Sequence, residues 1–266
     1  MALKQAKIYT ITSVKGGSGK TLTTINLAGC FSLKNKKVLI IDLDFYTGDI
    51  SLLLKLQAKK NFFDIIEDLN NNTFDKIDDY ITKYNDNIDV IASVKDPRAA
   101  SKIGNKYLSV ILAKVKYKYD VILFDTTHIL DEINLIALDS SDYILYVIKN
   151  DLMNLKNMRT MVSIYTDMEK NNYKIILNEA CGKKGDFTKY DVKNMIGDNI
   201  DYTIPESFYI KNIEKYLYNG IIPTLDKKIQ KKHKKAIENF NKLINKIYDE
   251  ENEEKSKKVK WWLKNL

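Results

Sequence analysis

The run Lys15-Gly16-Gly17-Ser18-Gly19-Lys20-Thr21 places glycines, lysines and hydroxyls in seven consecutive residues. Glycines let successive backbone N–H groups turn inward, and a helix starting behind them adds its positive end. That combination suits a chain of phosphates. In such a loop Lys20 reaches the β- and γ-phosphates, the Thr21 hydroxyl binds Mg²⁺, and Gly16, Gly17, Ser18, Gly19 and Leu22 surround the ligand. The general pattern G-x-x-x-x-G-K-[ST] asks for glycine at position 14, where Val14 stands. The context still fits: an apolar run, Ile8–Val14, precedes the loop and a helical pattern follows it through Leu27.

Carboxylates close two further apolar runs. Ile40-Ile41-Asp42-Leu43-Asp44 carries two of them on the same side of a strand, because side chains alternate along it. Val121-Ile122-Leu123-Phe124-Asp125 ends in a carboxylate that can hold Mg²⁺ through water. Asp49 reads either as part of the loop after Asp44 or as a helix N-cap, and His128 reads as an ordinary loop histidine.

The elements that must position these residues alternate along the chain. The strand candidates are Ile8–Val14, Val38–Leu43, Ile88–Ala92, Val121–Phe124, Tyr143–Ile148, Tyr173–Leu177 and Ile200–Ile204. Few charges interrupt them, as expected of strands covered on both faces. Amphipathic stretches such as Ala99–Tyr117 and Leu152–Lys170 lie between. The pattern predicts an α/β fold, a mostly parallel doubly wound sheet flanked by helices, with loops at the carboxyl ends of strands meeting the ligand. Residues 1–248 read as one domain. Its last long helix presents Ile229, Ala236, Ile237, Phe240, Leu243, Ile244 and Ile247 as a core stripe. The lysines Lys227, Lys228, Lys231, Lys232, Lys234 and Lys235 read as its solvated face.

Lys15 gives the glycine loop a further meaning. The segment resembles the deviant Walker A loop of the ParA/MinD family of ATPases, and the resemblance covers roughly residues 7 to 247. It implies a P-loop ATPase fold that binds ATP or ADP with Mg²⁺ and hydrolyses ATP slowly under the control of a partner. It implies that Lys15 crosses a dimer interface to the partner subunit's nucleotide, so that ATP drives homodimer assembly. It gives Asp44 the role of orienting the attacking water near Mg²⁺, with Asp42 in support, and makes Asp125 the Walker B carboxylate. Asn178, at the end of Ile175-Ile176-Leu177-Asn178, is implied to read adenine, as an amide can pair with both edges of the base. Pro205 is implied to lie against the base. Within the family, Asp42–Ile50, with Gly48-Asp49 closing it, and Thr127–Asn134 are most similar to the CpaE/TadZ-like pilus-assembly branch.

Net charge +8 points to an anionic partner without naming it. Cys30 and Cys181 stand far apart and form no metal-ligand pattern, which suits a reduced cytoplasmic protein. No signal segment is read at the start of the chain, and no apolar run reaches the roughly 18 residues that cross a bilayer. After residue 248 an acidic stretch, Asp249–Glu254, leads to a basic tail, Lys255–Leu266. There Val259, Trp262, Leu263 and Leu266 follow helical spacing, while Lys257, Lys258, Lys260 and Lys264 fall mainly elsewhere. Such a tail, residues 249–266, resembles MinD's membrane-targeting helix and is expected to hold the protein peripherally on anionic lipid at the inner face of the membrane. The alternatives are a tail docked on its own domain, a DNA-associated partitioning ATPase that uses the helix lysines, and a weakly hydrolysing ATP-binding scaffold.

Overall fold

The computed structural model describes residues 4–104, 106–180, 185, 187–209, 213–235 and 237–248. Cys181, Ala236 and the tail 249–266 lie outside the described residues.

The sheet contains β1 (Lys7–Thr12), β2 (Val38–Asp42), β3 (Ile81–Lys83), β4 (Ile88–Ile91), β5 (Val121–Asp125), β6 (Tyr143–Ile148), β7 (Tyr173–Asn178) and β8 (Tyr202–Ile204). Their order is β3-β4-β2-β5-β1-β6-β7-β8. The pairs are parallel except at the edge, where β3 runs antiparallel to β4. The helices are α1 (Lys20–Leu33), α2 (Ile50–Leu53), α3 (Phe62–Asn70), α4 (Lys106–Val115), α5 (Glu132–Asp139), α6 (Leu152–Asp167), α7 (Lys189–Ile196), α8 (Ile213–Tyr218) and α9 (Lys227–Lys232). A helical run over 237–248 follows. The expected doubly wound α/β fold is therefore present, and β1 sits mid-sheet with the glycine loop at its carboxyl end.

Alternation along the strands sorts their side chains onto the two faces of the sheet. Val38 and Ile40 of β2, with Val121 and Leu123 of β5, pack on the α1 side together with Ile25, Phe31 and the C-terminal stripe. Leu39, Ile41, Ile122 and Phe124 pack on the opposite face against α3 and α4. The stripe residues Ile229, Ile237, Phe240, Leu243, Ile244 and Ile247 are all buried. The six lysines of that region are exposed, as expected. Cys30 is buried on α1, and burial pushes its thiol up to about 12, so it behaves as a small apolar residue. Among the described residues no helix is long and apolar enough to cross a membrane.

Several expected boundaries move. β1 ends at Thr12 rather than Val14, because the Ser13 hydroxyl donates to the Lys15 carbonyl (2.8 Å) and turns the chain. β2 ends at Asp42, so Asp44 stands beyond the strand. The stretch Ala99–Tyr117 is not one helix. Pro97 starts a 3₁₀ turn, Pro97–Lys102, which Asp96 caps by accepting from the Arg98 N–H, and Gly104 separates it from α4. The long C-terminal helix is interrupted at His233, where α9 ends. β8 begins at Tyr202 rather than at position 200, because Asp201 turns back to β7, its carboxylate accepting from the Ile175 N–H.

The face of α1 that carries Gly29 meets the Ile222–Leu225 segment so closely that a Cβ there would overlap the Thr224 hydroxyl. Thr224 is fully buried and donates to the Asn26 carbonyl, so it has little room to yield. Gly29→Ala is expected to destabilise the protein by about 1–3 kcal/mol, measured by urea unfolding. Unchanged stability would contradict this packing.

Candidate functional site

The parity that builds the α1-side core continues to the top of the sheet. Asp42 follows Val38 and Ile40, and Asp125 follows Val121 and Leu123, so both carboxylates belong to the α1 side. They are also register partners across β2 and β5. Both are nearly fully buried, with 1% of their surface exposed. The Asp125 carboxylate accepts from the Thr24 hydroxyl at 2.7 Å. Burial raises the Asp125 carboxyl to about 6, while the facing Thr24 and Thr21 hydroxyls and the Lys20 charge oppose the rise. Burial, and then the Asp125 charge, hold the Asp42 carboxyl well above the usual carboxylate range. Lys20 is half-buried above them, and burial lowers its ammonium while Asp125 and Asp44 oppose that.

Asp44 is arranged differently from Asp42. Its carboxylate accepts from the Thr47 N–H and hydroxyl, both at 2.8 Å, and from the Tyr46 N–H at 3.2 Å. The turn beyond β2 therefore holds it, not the strand. Asp42 grips the two ends of this turn by accepting from the Asp44 N–H and the Ile50 N–H, each at 3.2 Å. The Ser93 hydroxyl, at the end of β4, donates to the Asp44 carbonyl at 2.7 Å. Asp49 stands at the N-cap position of α2, yet its side chain makes no capping hydrogen bond.

The glycine loop is built as the sequence suggests. Gly19 adopts φ 91°, and no side chain caps the α1 amino terminus. Its first N–H groups are therefore open to an anion. Asn178 donates to the Ser18 carbonyl at 2.9 Å and accepts from the Ala180 N–H at 3.0 Å. A Cβ on Gly19 would stand 2.6 Å from the Asn178 amide nitrogen, so only glycine fits. A cleft of about 260 Å³ opens beside the loop, lined by Gly19, Leu22, Asn178, Ile204 and Phe208 among others. Pro205 itself does not line it, although its neighbours do. His128 lies over Gly16, where a Cβ would meet its ring at 3.7 Å. Lys15 is exposed at the outer rim of the loop.

Among the described residues no group of three or more histidine, cysteine and carboxylate side chains could hold a metal by itself. Thr21, Asp125 and Asp44 nevertheless fit Mg²⁺, which keeps several waters and takes other ligands from phosphate oxygens. A divalent cation beside these two buried carboxyls would favour their ionised forms.

The comparisons with known proteins agree with this geometry. The AAA_31 family model, described as an AAA domain, matches residues 6–179. The chain belongs to this family. Its relatives there are ParA- and MinD-type ATPases. The sporulation initiation inhibitor protein Soj of Bacillus subtilis is 28% identical over 229 residues, 82% of this chain and 84% of Soj. The septum site-determining protein MinD of Synechocystis is 32% identical over 45% of this chain and 44% of that protein. Among solved structures, the ParA family ATPase of Chlorobium tepidum superposes with a TM-score of 0.74 at 20% identity, covering 89% of this chain and 98% of its own. MinD of Pyrococcus horikoshii, complexed with Mg-ADP, gives 0.72 at 23%, covering 91% and 96%. These two likenesses establish the shared fold.

Two residues beside the candidate site, Thr24 and Ser93, carried no motif signal. Only Thr24 was within reach of sequence reasoning, since it lies one helical turn beyond Thr21 on the same face.

The buried carboxyls set a pH dependence in the nucleotide-free protein. A carboxyl whose pKa folding raises contributes stability while protonated, and loses that contribution as pH rises above about 4 through its folded value. The melting temperature of Asp42→Asn relative to the parent should therefore move in the variant's favour, by about 2–4 °C, between pH 5 and pH 8. A difference that does not change with pH would contradict the arrangement.

Proposed function

We infer that the protein is an ATPase of the ParA/MinD type that assembles as a homodimer around ATP and Mg²⁺. The observation that carries this reading is the contrast between the two lysines of one loop. Lys20 is half-buried beside Asp125 and Asp44, whereas Lys15 is exposed. An exposed lysine at this loop can reach a nucleotide held by a second subunit. Support comes from exposed apolar residues at the same end of the sheet, Tyr46, Ile129 and Leu130 in loops and Leu152 and Met153 at the start of α6. Exposed groups of this kind commonly mark contact surfaces.

In this reading the α1 amino terminus and Lys20 bind the β- and γ-phosphates, while Leu22, Asn178 and Ile204 bound the base, with Pro205 behind. Thr21 and Asp125 hold Mg²⁺, with Asp44 near it; the ion neutralises charge that develops on the phosphate oxygens. An ionised carboxylate offers on the order of four acceptor positions, and the Thr47 and Tyr46 donors occupy three on Asp44. The remaining one is suited to orienting water. Asp42 keeps the turn in register and does not touch substrate.

The inferred cellular task is to position a membrane-associated machine, of the pilus-assembly kind suggested by Asp42–Ile50 and Thr127–Asn134, from the cytoplasmic face. The tail Lys255–Leu266 serves as a weak anchor that pairing doubles through effective concentration. A DNA-associated role is the second reading, and the exposed lysines from Lys227 to Lys235 are what favour it.

Asp44→Ala should keep ATP bound and accumulate as a dimer in size-exclusion chromatography with ATP, and adding Lys15→Ala should return it to monomer. A Lys15→Ala protein that still dimerises with ATP would remove the role of Lys15. Sedimentation with anionic vesicles should require ATP and weaken as salt rises. It should be lost when Trp261 and Trp262 become Ala, with nucleotide affinity unchanged. Plasmid binding that survives tail deletion, in a protein that ignores vesicles, would favour the DNA role instead.

A further inference from the structure

The loop contains two lysines, and a third approaches it from another element. β6 pairs with β1 in parallel, with Tyr146 opposite Thr12. Lys149, three residues past Tyr146, therefore leaves the sheet next to the start of the glycine loop. Its ammonium nitrogen lies 3.9 Å from where a Cβ on Gly17 would stand. It lines the same cleft as Gly17, Gly19 and Asn178. The nearest acid in sequence, Asp151, is engaged elsewhere: its carboxylate caps α6 by accepting from the Met153 and Asn154 N–H groups and the Asn154 amide. Among the described residues Lys149 forms no ion pair. Its ammonium adds positive charge beside backbone N–H groups that already attract anions, in a cleft that it lines.

We propose that Lys149 is a third phosphate-binding lysine, contacting in cis the α- and β-phosphates of the bound nucleoside diphosphate moiety. The inference rests on the reading of the glycine loop as a nucleotide site. The position of the residue selects these phosphates. Lys20 enters from the α1 side, beside the carboxylates, whereas Lys149 comes from the end of β6, approaches Gly17 and lines the cleft for the base. The chain thus carries within one subunit a cation additional to the one that Lys15 supplies across the interface. Its effect falls equally on ADP and ATP, because both carry the α- and β-phosphates, and it makes nucleotide retention less dependent on assembly.

The test is ADP affinity with Mg²⁺ by calorimetry in the intact chain carrying Lys15→Ala, which removes the cross-subunit lysine. Adding Lys149→Gln should weaken ADP binding about tenfold, equivalent to about 1.4 kcal/mol, and Lys149→Arg should restore it to within about threefold. ADP affinity in Lys149→Gln within about twofold of its parent would overturn the inference. A second measurement needs no substitution at this position: saturating ADP should protect Lys149 from acylation by an amine-reactive ester, read by mass spectrometry. Lys149 labelled equally with and without ADP, while Lys20 is protected, would overturn it as well. If the parent itself binds no ADP, the nucleotide reading falls; if the parent binds ADP and Lys149→Gln leaves that affinity unchanged, only the role of Lys149 falls.

Discussion

Asp42 and Asp125 stand side by side, buried, at the carboxyl ends of adjacent parallel strands, and the site is organised around that concentration of negative charge. Parallel pairing places them in register, and alternation turns both toward α1. Two such carboxyls share a buried site only if donors face them or one stays protonated. Thr24, Thr21 and Lys20 face Asp125, and two backbone N–H groups face Asp42. Lysine, hydroxyls and carboxylates thus form one electrostatic unit, and a divalent cation at this end of the sheet would relieve the same repulsion.

The hydrogen bonds of Asp42 extend this unit outward. By holding the Asp44 and Ile50 N–H groups it fixes both ends of the turn that carries Asp44, and Ser93 holds the same turn from β4. A change in charge around Asp125 is therefore felt at the start of α2, where Leu52 is among the most exposed apolar side chains. This gives a short physical connection from the nucleotide phosphates to a surface that a partner can reach. Similarly, Asn178 joins the loop to the end of β7 through Ser18 and Ala180. The wall of the base cleft and the phosphate loop are thus tied together.

Much of this was legible in the residues. Apolar runs without charges marked the parallel strands, since a strand buried on both faces needs such a run, and the glycine loop announced its own conformation. Lys15 and the Asp42–Asp44 segment pointed to the ParA/MinD family. The remainder depended on contacts between segments distant in the chain. β3 spans three half-exposed residues, too few for a periodic signal, and becomes a strand only because β4 offers it an edge. The place of Asp44 beyond the strand is decided by Thr47 and Ser93, neither of which belongs to a motif. Lys149 looks like any lysine following an apolar strand until the β1–β6 pairing sets it beside Gly17. The division of Ala99–Tyr117 was available in principle from Pro97 and Gly104, but its apolar spacing conceals the break.

If the loop and the buried carboxylates act together on Mg²⁺-bound nucleotide, ATP binding depends on the ion. Calorimetric titration of the intact protein with ATP, in the presence of Mg²⁺ and again with the ion chelated, addresses it most directly. The expected result is one ATP per chain with Mg²⁺ and an affinity at least about tenfold weaker without it. ATP binding of equal strength in both conditions, or none at millimolar ATP with Mg²⁺ present, would contradict it.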